Sequence, residues 1–181
     1  MPSIRPCVCS GAVSWFSELV PSRTLNGRTV DPTGEVDGVE NRYVIEHRAR
    51  CRAERPTVYR LLADTQGWPS WSPIRKATIE HPAGPDGTGE IRVFRTGPFA
   101  TREEVLVNAP PNRYSYRLIS GIPVRDYRSD IAITSRDEGC EVTWHSEFNP
   151  RWPGSGGINR AILSLFIRMM LRKLVQAAEN H

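Results

Sequence analysis

The chain has 181 residues, of which 39% are hydrophobic and 24% are charged, which is an ordinary composition for a globular protein with one core. The formal net charge is +4, but the basic residues are spread along the chain and interleaved with acids, unlike the clustered surface of a nucleic-acid-binding protein. We therefore predict no nucleic-acid partner. Arginines interrupt the most apolar segment, so we also predict no integral membrane association, and without a convincing signal peptide we predict a cytoplasmic protein.

The first 40 residues differ from the remainder. They contain Pro, Gly, Ser and Thr without sustained periodicity and end in an acidic stretch, so we predict a poorly ordered extension over 1–40 and a single domain over 41–181. One apolar group could form a helical turn that docks on the domain or on a partner, the alternative being a misassigned translation start: Trp15, Phe16, Leu19 and Val20. Cys7-x-Cys9 lacks a second pair at zinc-binding spacing, so we predict no metal and no cofactor.

From residue 42 onward the hydrophobic pattern is regular. Residues 43–51 alternate between inward and charged positions, which predicts a half-buried strand. Pro56 begins a helix that ends near Gly67, and the segment from Trp68 to Pro73 forms a second short helical unit with two large aromatics.

Six further strands follow, separated by turns rich in Gly, Pro and Asp. They are predicted at 74–81, 90–96, 101–107, 113–119, 125–134 and 140–148. Because these strands are joined by hairpins with no helix between them, they predict an antiparallel sheet in an α+β fold.

The first and last strands of this sheet can be paired from their alternation. An antiparallel register places five pairs on one face: Tyr43 with Phe148, Ile45 with Ser146, His47 with Trp144, Ala49 with Val142, and Cys51 with Cys140. Since one register must satisfy a whole face, this agreement predicts that the first and last strands are neighbours that close the sheet.

A long C-terminal helix is predicted over 157–180. Its apolar residues recur every four positions and predict the buried face: Ile162, Phe166, Met170 and Leu174, with Leu165 and Met169 beside them. A second set lies about two residues out of phase and is predicted to face water: Arg160, Ser164, Arg168 and Arg172. Ser155, among the glycines before the helix, is the candidate N-cap.

Four segments resemble the polyketide cyclase/dehydrase and lipid-transport proteins of the SRPBCC superfamily. They are RTGPFATREEV at 95–105, SYRLISGIPVRDYR at 115–128, VTWHSEFNPRWPGSG at 142–156 and the terminal helix. The resemblance covers roughly Arg42 to Glu179 and implies a helix-grip (START-like) fold, in which a seven-stranded curved antiparallel sheet wraps around the C-terminal helix. It also implies a hydrophobic cavity for a lipid, a polyketide or another apolar ligand.

The candidate ligand-binding residues share the predicted inner face of the sheet or the facing side of the helix. From the sheet they are Tyr43, His47, Tyr114, Tyr116, Tyr127, Ser129, Trp144, Ser146 and Phe148, and from the helix Phe166, Met169 and Met170. A cavity with several hydroxyls among apolar walls suits a hydroxylated aromatic ligand, whereas the alternative is a filled core. Trp68, Trp71 and the Gly97-Pro98-Phe99 tip are the predicted gate.

The charged and thiol side chains leave alternatives open. Among Arg95, Arg102, Glu103 and Glu104, one Arg–Glu pair could project inward, although we favour solvated salt bridges. His145 and Glu147 share a face that we predict to be the outer one, so they are expected to be a surface pair. Cys51 and Cys140 are neighbours in the predicted register and are either bridged or, as we favour for a reducing compartment, free thiols.

Three functions fit these features. The first is binding of an apolar small molecule. The second is a polyketide cyclase or dehydratase, for which the catalytic candidates are Tyr127, Arg95 and Ser146. The third is an interaction module that docks on a membrane or a protein through the basic helix or the N-terminal extension. The oligomeric state, monomer or homodimer, is open.

Overall fold

The computed structural model describes residues 42–181, together with two short paired strands, Thr24–Leu25 and Arg28–Thr29. By internal contacts the chain divides into two units, Met1–Val39 and Glu40–His181. The predictions that concern Trp15 to Val20, Cys7 and Cys9 lie outside the described residues, and the features below all belong to the second unit.

Seven strands form the main sheet, and every neighbouring pair is antiparallel. They are β1 (Tyr43–Cys51), β2 (Lys76–His81), β3 (Ile91–Thr96), β4 (Phe99–Ala109), β5 (Arg113–Ser120), β6 (Val124–Ser135) and β7 (Cys140–Pro150). Their order across the sheet is β1-β7-β6-β5-β4-β3-β2. The first and last strands are therefore neighbours, as predicted, but the sheet stays open, with β1 and β2 at its edges.

The predicted register of β1 on β7 is confirmed. All five predicted pairs are present, from Tyr43 opposite Phe148 to Cys51 opposite Cys140. Register shifts interrupt the pairing of β2 with β3, of β4 with β5 and of β6 with β7, and such bulges bend a strand and increase its twist. They give the sheet the concave inner face on which the C-terminal helix lies.

Three helices accompany the sheet. They are α1 (Arg55–Ala63), α2 (Trp68–Trp71) and α3 (Gly156–Glu179), with a 3-10 turn at Thr65–Gly67 between the first two. Pro56 lies in the first turn of α1, where its missing N–H costs no hydrogen bond. This arrangement is the predicted helix-grip fold, with two short helices after the first strand and a long helix at the C-terminus.

Helix α3 buries only the C-terminal half of the predicted stripe, Met170 and Leu174. The residues of the observed buried stripe are Ile167, Met170, Leu171, Leu174 and Ala178, whereas Ile162, Leu165 and Phe166 are 61%, 70% and 44% exposed. The error lies in the step of four: an α-helix turns about 100° per residue, so each step of four drifts by about 40°. Three such steps lead from the exposed side at Ile162 to the buried side at Leu174.

The predicted solvent side of α3 also needs one correction. Arg160, Arg168 and Arg172 are exposed as predicted, but Ser164 is half-buried, and its Oγ lies 2.9 Å from Nε2 of His47 on β1. This hydrogen bond joins the helix to the edge strand, against which α3 packs together with β7 and α1.

The start of α3 approaches β1 closely. Ser155 occupies the N-cap position, but its hydroxyl donates to the carbonyl of Trp152 and makes no capping bond to the helix. A Cβ on Gly156 would lie 2.1 Å from the ring of Tyr43, so only glycine allows this contact. None of the helices in the described part of the chain is long and apolar enough to cross a membrane.

Candidate ligand-binding cavity

A cavity of about 460 Å³ lies between the inner face of β3 to β7 and the N-terminal half of α3. Its volume falls within the range of roughly 300–1,000 Å³ typical of small-molecule sites. Seven of the predicted ligand-binding residues line it: Trp68, Tyr116, Tyr127, Trp144, Phe166, Met169 and Met170. The remaining wall is mostly apolar, so the cavity suits a ligand whose surface is largely apolar.

The mouth of the cavity is formed by exposed apolar side chains. Phe99, at the tip of the β3–β4 hairpin, is 72% exposed and lines the cavity together with Ile162 and Phe166 of α3. Of the residues predicted to form the gate, Phe99 therefore lies at the mouth and the two tryptophans do not. Trp68 is buried in the wall, and Trp71 packs on it with ring centroids 4.8 Å apart but is not one of the lining residues.

Seven other predicted ligand-binding residues lie outside the cavity lining, in contacts within the core. They are Tyr43, His47, Trp71, Tyr114, Ser129, Ser146 and Phe148. Tyr43 stacks on Phe148 with centroids 5.6 Å apart, and His47 is hydrogen-bonded to Ser164. At this side of the helix the filled-core alternative therefore describes the structure, because aromatic rings and hydrogen bonds occupy the space.

Hydroxyl groups form a connected cluster behind the wall. The Tyr127 hydroxyl accepts from Ser129 Oγ at 2.9 Å and donates to Ser146 Oγ at 3.3 Å, and the two serine oxygens are 2.6 Å apart. Trp144 Nε1 also donates to Ser129 Oγ, at 3.4 Å. Burial raises the pKa of the Tyr127 phenol and raises that of Tyr116 well above its ordinary value. These phenols therefore stay neutral, and the Tyr127 hydroxyl is hydrogen-bonded to the two serines.

The cavity wall contains a buried ion pair that sequence reasoning did not assign. Arg92 is 0% exposed, and its Nε and Nη2 donate to Oε2 of Glu103 at 3.1 and 3.0 Å. Its Nη1 donates to the hydroxyl of Tyr114 at 3.0 Å. Glu103 lines the cavity and its side chain is 13% exposed. The pair therefore places a carboxylate at the cavity surface, with its arginine behind it.

Four aromatic rings surround the guanidinium of Arg92. Its Cζ lies 4.8 to 5.2 Å from the ring centroids of Trp68, Phe94, Tyr114 and Tyr116. Ring faces attract a cation within about 6 Å, and this attraction grows when the cation is removed from water. The rings therefore compensate part of the hydration that Arg92 loses on burial and hold it in one orientation.

The protonation of Glu103 depends on two opposing effects. Burial raises the pKa of its carboxyl, because the charged form loses its hydration, and the guanidinium of Arg92 opposes part of this rise. The pKa of Arg92 is itself raised, because Tyr114 and Glu103 outweigh the effect of its burial. The two N–H groups that donate to Oε2 favour the charged form, so Glu103 pairs with Arg92 as a carboxylate.

The buried pair involves Arg92, which is neither of the two arginines, Arg95 and Arg102, considered from the sequence. Arg95 is exposed, so this catalytic candidate lies outside the cavity, and the predicted preference for solvated pairs was wrong for Glu103. The missed signal was the two-residue turn at Gly97-Pro98, which pairs Thr96 with Phe99 and therefore Arg92 with Glu103. The sequence prediction began β4 two residues late and so lost this register.

The neighbouring charged residues face outward in cross-strand pairs, as predicted. Glu104 binds Arg117, with 2.8 Å between its Oε2 and the arginine Nε, and Arg102 binds Glu80. On β7, His145 lies 3.4 Å from Glu46 and Glu147 lies 3.4 Å from Arg42. His145 and Glu147 are therefore on the outer face, as predicted. His145 pairs with Glu46 of β1, and Glu147 pairs with Arg42, the residue before β1.

Cys51 and Cys140 are free, buried thiols that face each other across β1 and β7, as favoured above. Burial raises the pKa of both, that of Cys140 to about 11. Within the described residues, no group of three or more His, Cys, Asp or Glu side chains is arranged to hold a metal ion.

Comparison with known proteins agrees with this architecture. Residues 42–179 match the family model described as polyketide cyclase / dehydrase and lipid transport. Uncharacterized proteins of Mycobacterium bovis and Mycobacterium tuberculosis are 29% identical over 123 residues, which cover 65% of this chain and 73% of theirs.

Two solved structures illustrate the similarity of the fold. A START superfamily protein from Mycobacterium smegmatis has a TM-score of 0.66 at 13% identity, covering 76% of this chain and 97% of its own. The di-domain ARO/CYC StfQ from the steffimycin biosynthetic pathway has a TM-score of 0.64 at 17% identity, covering 77% of this chain and 51% of its own. At these identities the likeness concerns the fold alone.

Proposed function

The chain belongs to the polyketide cyclase/dehydrase and lipid transport family, and from this premise we propose that it binds an apolar small molecule in the cavity beneath α3. The observation that carries the proposal is the cavity itself, about 460 Å³ with a largely apolar wall. A well-packed core leaves few voids larger than a water molecule, so an apolar space of this size is best explained by a ligand. Lipids, polyketides and other apolar or aromatic molecules are the ligand classes that fit.

The placement of the wall residues supports this proposal. Met169 and Met170 line the cavity, and methionine side chains adapt to different ligand shapes because they are unbranched and polarizable. Phe99 and Ile162 present apolar surface at the mouth, which a ligand would cover as it enters.

Two measurements test the proposal. Organic extraction of the purified full-length protein, followed by mass spectrometry, would identify a co-purified ligand. Fluorescence titration with pyrene, an apolar probe, would measure affinity for the cavity. We expect pyrene to bind the wild type and to bind Thr101→Trp at least tenfold more weakly, because the added indole occupies the space that Thr101 borders.

A matched control separates filling of the cavity from a general effect of tryptophan. Thr143 lies on the outer face of β7, so Thr143→Trp should bind pyrene like the wild type. Equal binding by all three proteins, or no pyrene binding by the wild type, would contradict the proposed cavity function.

A second candidate function is catalysis of a cyclisation or dehydration, and Glu103 is the observation that favours it. A carboxyl group whose pKa is raised by burial, at the wall of a cavity, is suited to hold or move a proton during catalysis. Of the earlier candidates, Tyr127 lines the cavity, Ser146 lies behind it and Arg95 is exposed.

Turnover of poly-β-ketone mimics would test the catalytic function. If Glu103 acts as a general acid or base, Glu103→Gln should lower the rate about 100-fold or more, while Glu104→Gln, on the outer face of the same strand, should leave it unchanged. A wild-type rate equal to that of buffer would eliminate the enzyme.

A further inference from the structure

We propose that Glu103 selects ligands that carry a neutral hydrogen-bond donor, such as a hydroxyl group, at the end that reaches the floor of the cavity. This inference rests on the proposed function, since it names the class of molecule that the cavity accepts. It starts from the Arg92–Glu103 pair, because packing alone does not require two buried charges in the cavity wall. Removing each ion from water is costly, and similarly sized apolar residues would fill the same space at no such cost.

The hydrogen bonds of the pair leave one carboxylate oxygen available. A fork-to-fork arginine–carboxylate pair usually engages both oxygens, but here Nε and Nη2 of Arg92 both donate to Oε2. Within residues 42–181, Oε1 of Glu103 receives no hydrogen bond, and the side chain borders the cavity with 13% of its surface exposed. Oε1 is therefore an unused acceptor on a side chain that borders the cavity.

The arginine is held so that it does not compete for the ligand. Its third donor bond goes to Tyr114, and four aromatic rings enclose the guanidinium. Because Arg92 is 0% exposed, a ligand meets Glu103 first. The guanidinium therefore lies behind the carboxylate, and three of its four rings, those of Trp68, Phe94 and Tyr116, also line the cavity.

The charge balance decides which polar group fits. Arg92 already neutralises Glu103, so a cationic ligand would leave one charge unbalanced, and an anionic ligand would face the carboxylate oxygen. A neutral donor gains a charge-assisted hydrogen bond without adding a charge. A hydroxyl group meets this requirement, whereas a methyl ether of the same size cannot donate.

The other polar groups of the wall compete weakly for a donor. The Tyr127 hydroxyl is already hydrogen-bonded to Ser129 and Ser146. Thr96 and Thr101 also line the cavity, but their neutral hydroxyls are weaker acceptors than a carboxylate. Glu103 is therefore the group that we expect to discriminate between ligands of equal apolar surface.

A series of pyrene derivatives tests the inference on the full-length protein. The probes are 1-hydroxypyrene, 1-methoxypyrene, 1-pyrenemethylammonium and 1-pyrenecarboxylate, titrated by fluorescence at pH 7. We expect 1-hydroxypyrene to bind the wild type about tenfold more tightly than 1-methoxypyrene, as for one charge-assisted hydrogen bond. The two charged probes should bind more weakly than 1-hydroxypyrene.

A double variant keeps the test independent of folding defects. Glu103→Leu alone leaves Arg92 buried without its carboxylate, so Arg92→Leu/Glu103→Leu removes both charges together. This variant should bind 1-hydroxypyrene and 1-methoxypyrene equally, because the charged acceptor that distinguishes them is gone. The control, Glu104→Leu/Arg117→Leu, removes the outward pair one residue along β4 and should keep the preference.

The outcomes separate the inference from the function on which it rests. Equal binding of 1-hydroxypyrene and 1-methoxypyrene by the wild type would overturn the role of Glu103 and leave cavity binding intact. The same holds if the preference persists in Arg92→Leu/Glu103→Leu, or if a charged probe binds most tightly. Failure of every probe to bind would instead overturn the proposed cavity function.

Discussion

Helix α3 has two sides that the protein uses differently. On the closed side, where α3 packs on β1, β7 and α1, side chains fill the space: Leu174 is buried and Gly156 contacts the ring of Tyr43. On the open side, which faces β3 and β4 across the cavity, Ile162 and Phe166 remain exposed. The closed side therefore provides stability and the open side provides space, so substitutions on the two sides should have different effects.

The largest effect is expected at the buried ion pair of β3 and β4, across the cavity from the open side of α3. Glu103→Leu leaves Arg92 buried and unpaired, which should lower the free energy of unfolding by about 3–5 kcal/mol. Glu104→Leu, whose partner Arg117 is 58% exposed, should cost about 0–1 kcal/mol. Urea denaturation of both variants measures the difference, and equal losses would show that Arg92 does not depend on Glu103.

The next effect compares two leucines of the same helix. Leu174→Ala should cost about 2–5 kcal/mol, because it opens a cavity on the closed side. Leu165→Ala, at a 70% exposed position, should change stability by less than about 0.5 kcal/mol. Chemical denaturation again measures both, and a similar loss in both variants would contradict the assignment of Leu174 to the packed surface of α3 and of Leu165 to its exposed surface.

A smaller effect is expected at alkaline pH from Tyr59 of α1, which packs on Tyr114 and lies outside the cavity lining. Burial raises the pKa of Tyr59 from 10.0 to about 12, so the folded state holds the phenol proton more tightly than the unfolded state. The resulting stability is fully present below pH 10 and is lost as the pH rises toward 12. Tyr59→Phe should have a flatter dependence of unfolding free energy on pH over this range, and an unchanged slope would count against this origin.

The thiol of Cys140 adds to the same loss, because its pKa is raised from 9.0 to about 11. Its contribution is present below pH 9 and disappears between pH 9 and 11. Adding Cys140→Ala to the Tyr59→Phe variant should make the unfolding free energy depend still less on pH between pH 9 and 11.

The smallest effect on stability is expected at the mouth of the cavity. Phe99 is 72% exposed, so Phe99→Ala should alter the free energy of unfolding by less than about 0.5 kcal/mol. Its pyrene affinity should nevertheless fall several-fold, because apolar surface that covers the probe is removed. A variant that lost stability but kept its affinity for pyrene would place Phe99 in the core instead of at the mouth.

The sequence was sufficient for the pairing of β1 with β7 because strand alternation has a period of two. The five pairs from Tyr43–Phe148 to Cys51–Cys140 agree with one register, and one register determines every side chain of the two strands. The fold followed from this pairing together with the family resemblance.

Other features depended on information that the alternation does not contain. The helical step of four drifts around the helix, so Ile162 and Leu174 could not lie on one face. The contact of Gly156 with Tyr43 depends on where the helix begins relative to the sheet. The pairing of Arg92 with Glu103 follows only if the turn consists of the two residues Gly97 and Pro98. Thr96 then pairs with Phe99, and four residues further along each strand Arg92 pairs with Glu103.

That hairpin turn also gives the fold an adjustable rim. The β3–β4 tip carries Phe99 beyond the ion pair, at the end of two strands that are already paired. Two residues added to each strand would extend the rim by about 6.6 Å and keep Phe99 on the inner face while the pairing of Arg92 with Glu103 stayed in place. Ligand length could then be altered by evolution or by protein engineering at the tip alone, without changes to the selective group or to the packed side of the helix.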